Sequence, residues 1–289
     1  MKRLHRRFIG KNVMAVCIFL LLTCYAGKGS SQSVSDSLTT ALNLQYQQND
    51  FPGFTVAIVN SDSILYEHAF GFANLEKKIL YTTQTLQPIA SVSKLFIGVA
   101  VMKAIEQNLF ALNTDIDSLL PFKIQHPGTP ENPIRFRHLV THTSGIADNP
   151  SVYKKTYLFD APLEKDNAFN NLLHSKGFGA EGRDTTLGSF LQDYLNSTGA
   201  YYSKDNFINT APGLRFEYSN IGSDLAAWII ELSSGVSFAQ YTQQHILLPL
   251  HMTSTTWSAA IADQTRLATL YTGQKVPYPK YSSVTYPDG

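Results

Sequence analysis

Ser91 and Lys94, in Ala90-Ser91-Val92-Ser93-Lys94-Leu95-Phe96, are the residue pair most suited to chemistry. The stretch that follows, Leu95-Phe96-Ile97-Gly98-Val99-Ala100-Val101-Met102-Lys103-Ala104-Ile105, reads as helix. Residues three apart share a helix face, so the Lys94 amine can reach back to the Ser91 hydroxyl one turn earlier. A serine at the first turn also meets the unpaired N–H groups and the positive end of the helix dipole, which suit a developing negative charge. Apolar residues fall on nearly every face of this segment, which predicts a buried helix. A lysine carried into dry surroundings is pushed toward the neutral amine, and an amine beside a hydroxyl is a base beside a nucleophile. The pattern is short: serine is also a common N-cap, and lysine in a first turn is often a solvated surface residue. Ser93, the neighbouring hydroxyl, has no lysine three residues on.

A second candidate cluster is Tyr218-Ser219-Asn220, just before an apolar helical run and after Pro212-Gly213. A phenol can pass protons, and a side-chain amide can hold a substrate amide. Alone such a triplet says little; downstream of Ser91 and Lys94 it completes a set of nucleophile, cation, proton carrier and amide.

Four ordered segments carry a resemblance: Ala90 to Phe96; His138-Leu139-Val140-Thr141-His142-Thr143-Ser144-Gly145; Pro212-Gly213 with Tyr218-Ser219-Asn220-Ile221-Gly222; and Ile246-Leu247-Leu248-Pro249-Leu250-His251-Met252-Thr253-Ser254-Thr255. Together they resemble the serine β-lactamase and penicillin-binding-protein superfamily, in the branch of class C β-lactamases, D-alanyl-D-alanine carboxypeptidases and related esterases. The resemblance covers roughly residues 35–289. It implies Ser91 as the acylated nucleophile and Lys94 as the group that takes its proton or tunes the one that does. Tyr218 would be a proton shuttle, Asn220 a substrate-binding amide, and the Ser91 N–H half of an oxyanion hole. It implies no cofactor and a small-molecule or peptidoglycan-like substrate. The family also carries a third motif, Lys or His, a small residue and Gly, on a later strand. Tyr271-Thr272-Gly273 has the last two residues without the base and falls early, and the run ends at Tyr286-Pro287-Asp288-Gly289. The expectation is therefore a chain incomplete at its C-terminus and lacking its last strands. An inactive, non-catalytic envelope protein of the same type is the alternative reading.

The elements that must position these residues follow from periodicity and breakers. Residues 35–48 read as a helix capped by Ser35, and Pro52-Gly53 ends it. Residues 54–59 and 63–69 read as a hairpin about Asn60-Ser61-Asp62. The nucleophile helix spans about 91–107, and a short helix covers 134–141. Residues 146–210 are weakly periodic and rich in polar and aromatic side chains, which predicts short helices and loops. A buried helix opens near Asn220 and closes at Gly235, and another covers 238–248 before Pro249. The expected fold is α/β of the α+β type: an antiparallel sheet flanked by helices, with an inserted all-helical subdomain.

Composition fits a globular chain: 44% of its 289 residues are hydrophobic and 16% charged. A formal net charge of +1 gives no electrostatic case for nucleic acid. Residues 1–30 read as an export signal: Lys2, Arg3, Arg6, Arg7 and Lys11, then an apolar run over 13–22, then small residues. This predicts a periplasmic or extracellular protein, with membrane attachment only through an uncleaved signal or a lipid on Cys24 in Leu21-Leu22-Thr23-Cys24. Both cysteines, Cys17 and Cys24, lie in this segment, so no disulfide is expected in the rest of the chain.

Three other patterns fail on context. His138 and His142 are four apart but lack a third ligand and the Glu of H-E-x-x-H, so no metal is expected. Gly177-Phe178-Gly179-Ala180-Glu181-Gly182 matches a dinucleotide loop by letter but follows a helix-like stretch, not a strand. No G-x-S-x-G or G-x-x-x-x-G-K-[ST] occurs.

Overall fold

A computed structural model describes residues 33–159, 168–178, 186–258, 261–273, 275–279 and 281–283. The expected export signal with Cys17 and Cys24, the later residues of the Gly177 to Gly182 run and the terminal Tyr286 to Gly289 lie outside these residues. Among the described residues no helix is long and apolar enough to cross a membrane. The chain divides into two units, Met1–Thr83 and Gln84–Gly289.

The first unit is a helix and an antiparallel sheet. α1, Val34–Gln48, starts one residue before the expected place, because Ser33 rather than Ser35 caps it. The Ser33 Oγ accepts the Asp36 N–H at 3.0 Å, and the Asp36 carboxylate accepts the Ser33 N–H at 3.3 Å, a reciprocal capping box. β1, Gly53–Val59, pairs with β2, Ile64–Asn74, which in turn pairs with the short β3, Ile79–Leu80. The hairpin turn forms because the Asn60 side chain accepts the N–H groups of Asp62 and Ser63 at 2.9 and 2.7 Å. Tyr66, Phe70 and Ala73 on β2 are the buried residues of this sheet.

The second unit is mostly helical. A tight 3-10 turn, Ala90–Ser93, leads into α2, Lys94–Glu106. α3 is Phe136–Val140, α4 Pro150–Tyr153, α5 Ala168–Ser175 and α6 Leu187–Leu195. α7 is Asn220–Ser234, and α8, Phe238–Thr242, runs on as a wide π-helical turn, Gln243–Leu247. Two short strands, β4 (Tyr157–Phe159) and β5 (Tyr281–Ser283), pair antiparallel. β4 corrects the expectation of helices and loops alone over 146–210: three residues are too few for a period to show.

α7 is the central element, with every residue from Ile221 to Ile230 buried. It packs on α2, α3, α6 and α8. From α2 come Ile97, Ala100, Val101 and Ala104; from α6, Leu191, Tyr194 and Leu195; from α3, Phe136 and Leu139. The expectation that α2 is buried on every face is overturned. Positions 97, 100, 101 and 104 form one stripe, while Leu95, Val99 and Met102 are 70%, 47% and 52% exposed. Apolar composition did not distinguish the covered stripe from the uncovered one. The predicted mixed α/β class, with helices and an antiparallel sheet, is the one observed.

Candidate active site

Ser91 sits in the tight turn ahead of α2 and is exposed. The residue before it, Ala90, has φ +46°, in the left-handed region that disfavours a side chain. The Val92 N–H closes the turn onto the Ile89 carbonyl at 3.1 Å. A sharp, strained bend thus lifts the hydroxyl to the head of the helix. Lys94 is the first residue of α2, and its side chain runs back over the turn.

The Lys94 Nζ donates to the Asn220 Oδ1 at 2.8 Å and lies 3.4 Å from the Ser91 Oγ. It stands 5.1 Å from the centre of the Tyr218 ring. The Tyr218 Oη is 2.6 Å from the Ser91 Oγ and 3.5 Å from the Asn220 Oδ1. The structure therefore brings Ser91, Lys94, Tyr218 and Asn220 into one cluster. Distance ranks the partners of the nucleophile: the phenol makes a short hydrogen bond, and the amine a long one. Lys94 is half-buried and hydrogen-bonded to polar partners, not enclosed among apolar ones as the sequence suggested.

Two loops hold this arrangement. The Gly213 N–H donates to the Thr143 carbonyl at 2.7 Å and the Glu217 N–H to the His142 carbonyl at 2.8 Å, lacing the 213–217 segment to the turn after α3. Gly145 in that turn has φ +80°, and a Cβ there would lie 2.8 Å from the His126 Nε2, so glycine alone fits. Ser219 caps α7, its Oγ accepting the Gly222 N–H at 2.8 Å. Tyr218 and Asn220 thus flank a helix cap, which fixes their directions.

Two residues join the site that the sequence did not assign to it. Asp148 accepts four hydrogen bonds. Oδ1 takes the Ser219 hydroxyl at 3.2 Å and the Ile221 N–H at 3.1 Å. Oδ2 takes the Asn220 N–H at 3.0 Å and the Asn220 Nδ2 at 2.7 Å. The only sequence signal for it was an acidic residue just beyond the Ser144-Gly145 turn. His142 stands out in the sequence only by its spacing from His138 and its place in the 138–145 segment. Its Nδ1 accepts the Ser219 N–H at 3.2 Å and its ring lies 4.7 Å from that of Tyr218. Burial and the Lys94 charge hold His142 below the ordinary imidazole pKa, with Asp148 pulling the other way. His138 faces elsewhere, its Nδ1 accepting the Arg135 N–H at 3.1 Å. Among the described residues no three His, Cys, Asp or Glu side chains converge as a metal-binding group.

Among the described residues the Lys94 Nζ is met by the Asn220 amide oxygen, the Ser91 hydroxyl and the Tyr218 ring, and by no carboxylate. A cation lies within reach of a hydroxyl and a phenol, and the hydroxyl stands at the mouth of a helix N-terminus. Such a set can move a proton off the hydroxyl and stabilise the resulting negative charge. Tyr271-Thr272-Gly273 forms a turn of its own, the Lys275 N–H donating to the Thr272 carbonyl at 2.9 Å and the Thr272 N–H to the Val276 carbonyl at 2.9 Å.

The chain is 27% identical over 221 residues to Protein flp of Staphylococcus aureus (strain NCTC 8325 / PS 47), a match covering 76% of this chain and 38% of that protein. Its fold matches the octameric penicillin-binding protein homologue from Pyrococcus abyssi with a TM-score of 0.66 at 22% identity, over 87% of this chain and 54% of that one. It also matches a class C beta-lactamase with a TM-score of 0.64 at 19% identity, over 89% and 61%. The chain spans about two fifths of the length of the curated relatives it matches. The family model described as Beta-lactamase matches residues 38–286, so the chain belongs to the beta-lactamase family, within the serine β-lactamase and penicillin-binding-protein superfamily.

Proposed function

We propose that this protein is an exported serine hydrolase that opens amide or ester carbonyls through an acyl-enzyme on Ser91. The observation that carries the reading is the 2.6 Å hydrogen bond between the Ser91 Oγ and the Tyr218 Oη, with the Lys94 Nζ 3.4 Å from the same oxygen. In this reading Tyr218, as the nearer partner, relays protons: its oxygen accepts the Ser91 proton as the Ser91 oxygen attacks the carbonyl carbon, while the phenol's own proton passes to the leaving atom. The bond to the leaving atom breaks, and Tyr218 is left a neutral phenol. Water then repeats the relay against the acyl-serine: its proton passes to the Tyr218 oxygen as the phenol's proton returns to the Ser91 Oγ, and the acid is released. The Lys94 charge stabilises the negative charge that develops on the two oxygens. The Ser91 N–H, at the head of α2, is one donor to the carbonyl oxygen in the tetrahedral intermediate. Asn220 holds Lys94 and faces the substrate amide.

The substrate class is a β-lactam, a D-alanyl peptide or a small ester, which pose one chemical problem: a carbonyl must be held, attacked and released. Support comes from the family and from the likeness to penicillin-binding and class C folds. Export rests on the basic and apolar segments of residues 1–30, and a lipid on Cys24 is the variant of that reading. One observation favours the alternative, a non-catalytic envelope protein: Tyr271-Thr272-Gly273 lacks a basic residue. Labelling with a fluorescent penicillin and a fluorophosphonate, followed by mass mapping, tests the assignment. Label on Ser91 is expected; label elsewhere, or none, overturns it. A hydrolysis panel of nitrocefin, a D-Ala-D-Ala peptide and a p-nitrophenyl ester then separates the substrates.

A further inference from the structure

Asn220 stands between two groups of opposite demand. Lys94 can only donate, and an ionised Asp148 can only accept. The amide satisfies both in one orientation alone: Oδ1 toward the Lys94 Nζ at 2.8 Å, Nδ2 toward the Asp148 Oδ2 at 2.7 Å. Turned over, it would set an N–H against the ammonium and an oxygen against the carboxylate. The same carboxylate accepts the N–H groups of Asn220 and Ile221, the first residues of α7, where the helix dipole favours negative charge. It is therefore held by the backbone of the helix that carries Asn220, and its direction is fixed before any substrate arrives.

We propose that Asp148 is a positioning residue of this site, which sets the Asn220 amide and, through it, the place of the Lys94 amine beside Ser91. The inference rests on the serine-hydrolase reading above. Asp148 touches neither Ser91 nor Tyr218 in any hydrogen bond of the described residues, so its effect passes through Asn220. The chain of contacts is carboxylate, amide, amine and hydroxyl. Removing the carboxylate takes away one of the two groups that fix the amide and leaves the Lys94 ammonium as the other. The amide is then free to swing with the amine, and the amine is held less firmly beside the nucleophile. Loss of a hydrogen bond to a charged group typically costs roughly 10- to 100-fold.

The test measures the rate of Ser91 acylation by a fluorescent penicillin or a fluorophosphonate in the full chain. D148N should slow acylation by about 10- to 100-fold. In an N220A background the same substitution should add less than about threefold, because the partner through which it acts is gone. N220D alone sets two carboxylates face to face and should be slow. The exchange D148N/N220D restores one donor and one acceptor at that contact and leaves an oxygen for Lys94, but it sets an amide N–H toward the backbone N–H of residue 220 that Oδ2 accepts in the wild type, so it should be faster than N220D and slower than the wild type. Acylation of D148N at the wild-type rate overturns the proposal. So does a full effect of D148N in the N220A background, or an exchange no faster than N220D. Failure of D148N and of the exchange to fold, with N220D folded, also overturns it, since the carboxylate would then serve the fold alone. A wild-type chain that takes no label at Ser91 sinks the serine-hydrolase reading itself, a different result from a labelled wild type with unaffected variants.

Discussion

At the scale of single residues, the nucleophile has two hydrogen-bond partners, the Tyr218 phenol and the Lys94 ammonium, and their distances to it differ by 0.8 Å (2.6 against 3.4 Å). Hydrogen-bond strength falls steeply over such a range, and only the phenol can both accept and donate a proton, so the phenol is the group that exchanges one with Ser91. Tyr218 is 42% exposed, which leaves room for the leaving group and the incoming water to reach the same oxygen. Tyr218→Phe keeps the ring that lies beside the Lys94 Nζ and removes only the oxygen. It should slow acylation of Ser91 by about 10²- to 10⁴-fold, the range for a lost general acid–base group. The rate of label uptake in Y218F measures this, and a wild-type rate would remove Tyr218 from the mechanism. The residues of this cluster were legible because their types and spacing carry chemistry by themselves. Asp148 was not. It meets Ser219, Asn220 and Ile221 across 71 to 73 positions of chain, and no local pattern encodes a contact of that span.

At the scale of elements, the sequence was most readable where a backbone group has a local solution. The Asn60 turn, the close of α7 at Gly235 and the break after α1 each follow from one side chain or its lack. Elements made by distant pairing were unreadable, as β4 shows: its partner lies more than a hundred residues on. The covered stripe of α2 was unreadable for a related reason, since its partner α7 is also remote. Gly235 gives the element scale its test. Its φ is +75°, and its N–H donates to the Glu231 carbonyl at 2.8 Å to end α7. A Cβ there would meet nothing within 4 Å, so the cost of a side chain is conformational, not steric crowding from neighbours. Gly235→Ala should therefore destabilise the protein by about 1–2 kcal/mol in urea unfolding. Gly235→Asn should cost less, because asparagine tolerates the left-handed region. Ser91 labelling of the folded variants should stay at the wild-type rate, since the substitution lies at the opposite end of α7 from Tyr218 and Asn220.

At the scale of the whole molecule, the response to acid follows from where the imidazoles lie. His126, His138 and His142 all titrate below the ordinary imidazole value, and burial is the leading cause in each. His126 is the most enclosed, only 2% exposed, and the edge-on ring of Phe207 lies 5.3 Å away. Its Nδ1 accepts the Gly128 N–H at 3.3 Å, so the folded protein needs that nitrogen bare. The unfolded chain has no such need and takes up protons from about pH 6.5 downward. Below that pH the unfolded state binds more protons than the folded one, so stability falls as pH falls. The loss continues until the folded protein protonates as well, and above about pH 7 it vanishes, because both states are then neutral at these positions. Urea midpoints should therefore be level between pH 7 and 8 and drop progressively from pH 6.5 to 5. His126→Asn keeps an acceptor near the Gly128 N–H and removes the titrating ring, so its midpoint should depend less steeply on pH over the same interval. A variant as acid-sensitive as the wild type would assign the effect to His138, His142 or the carboxylates instead.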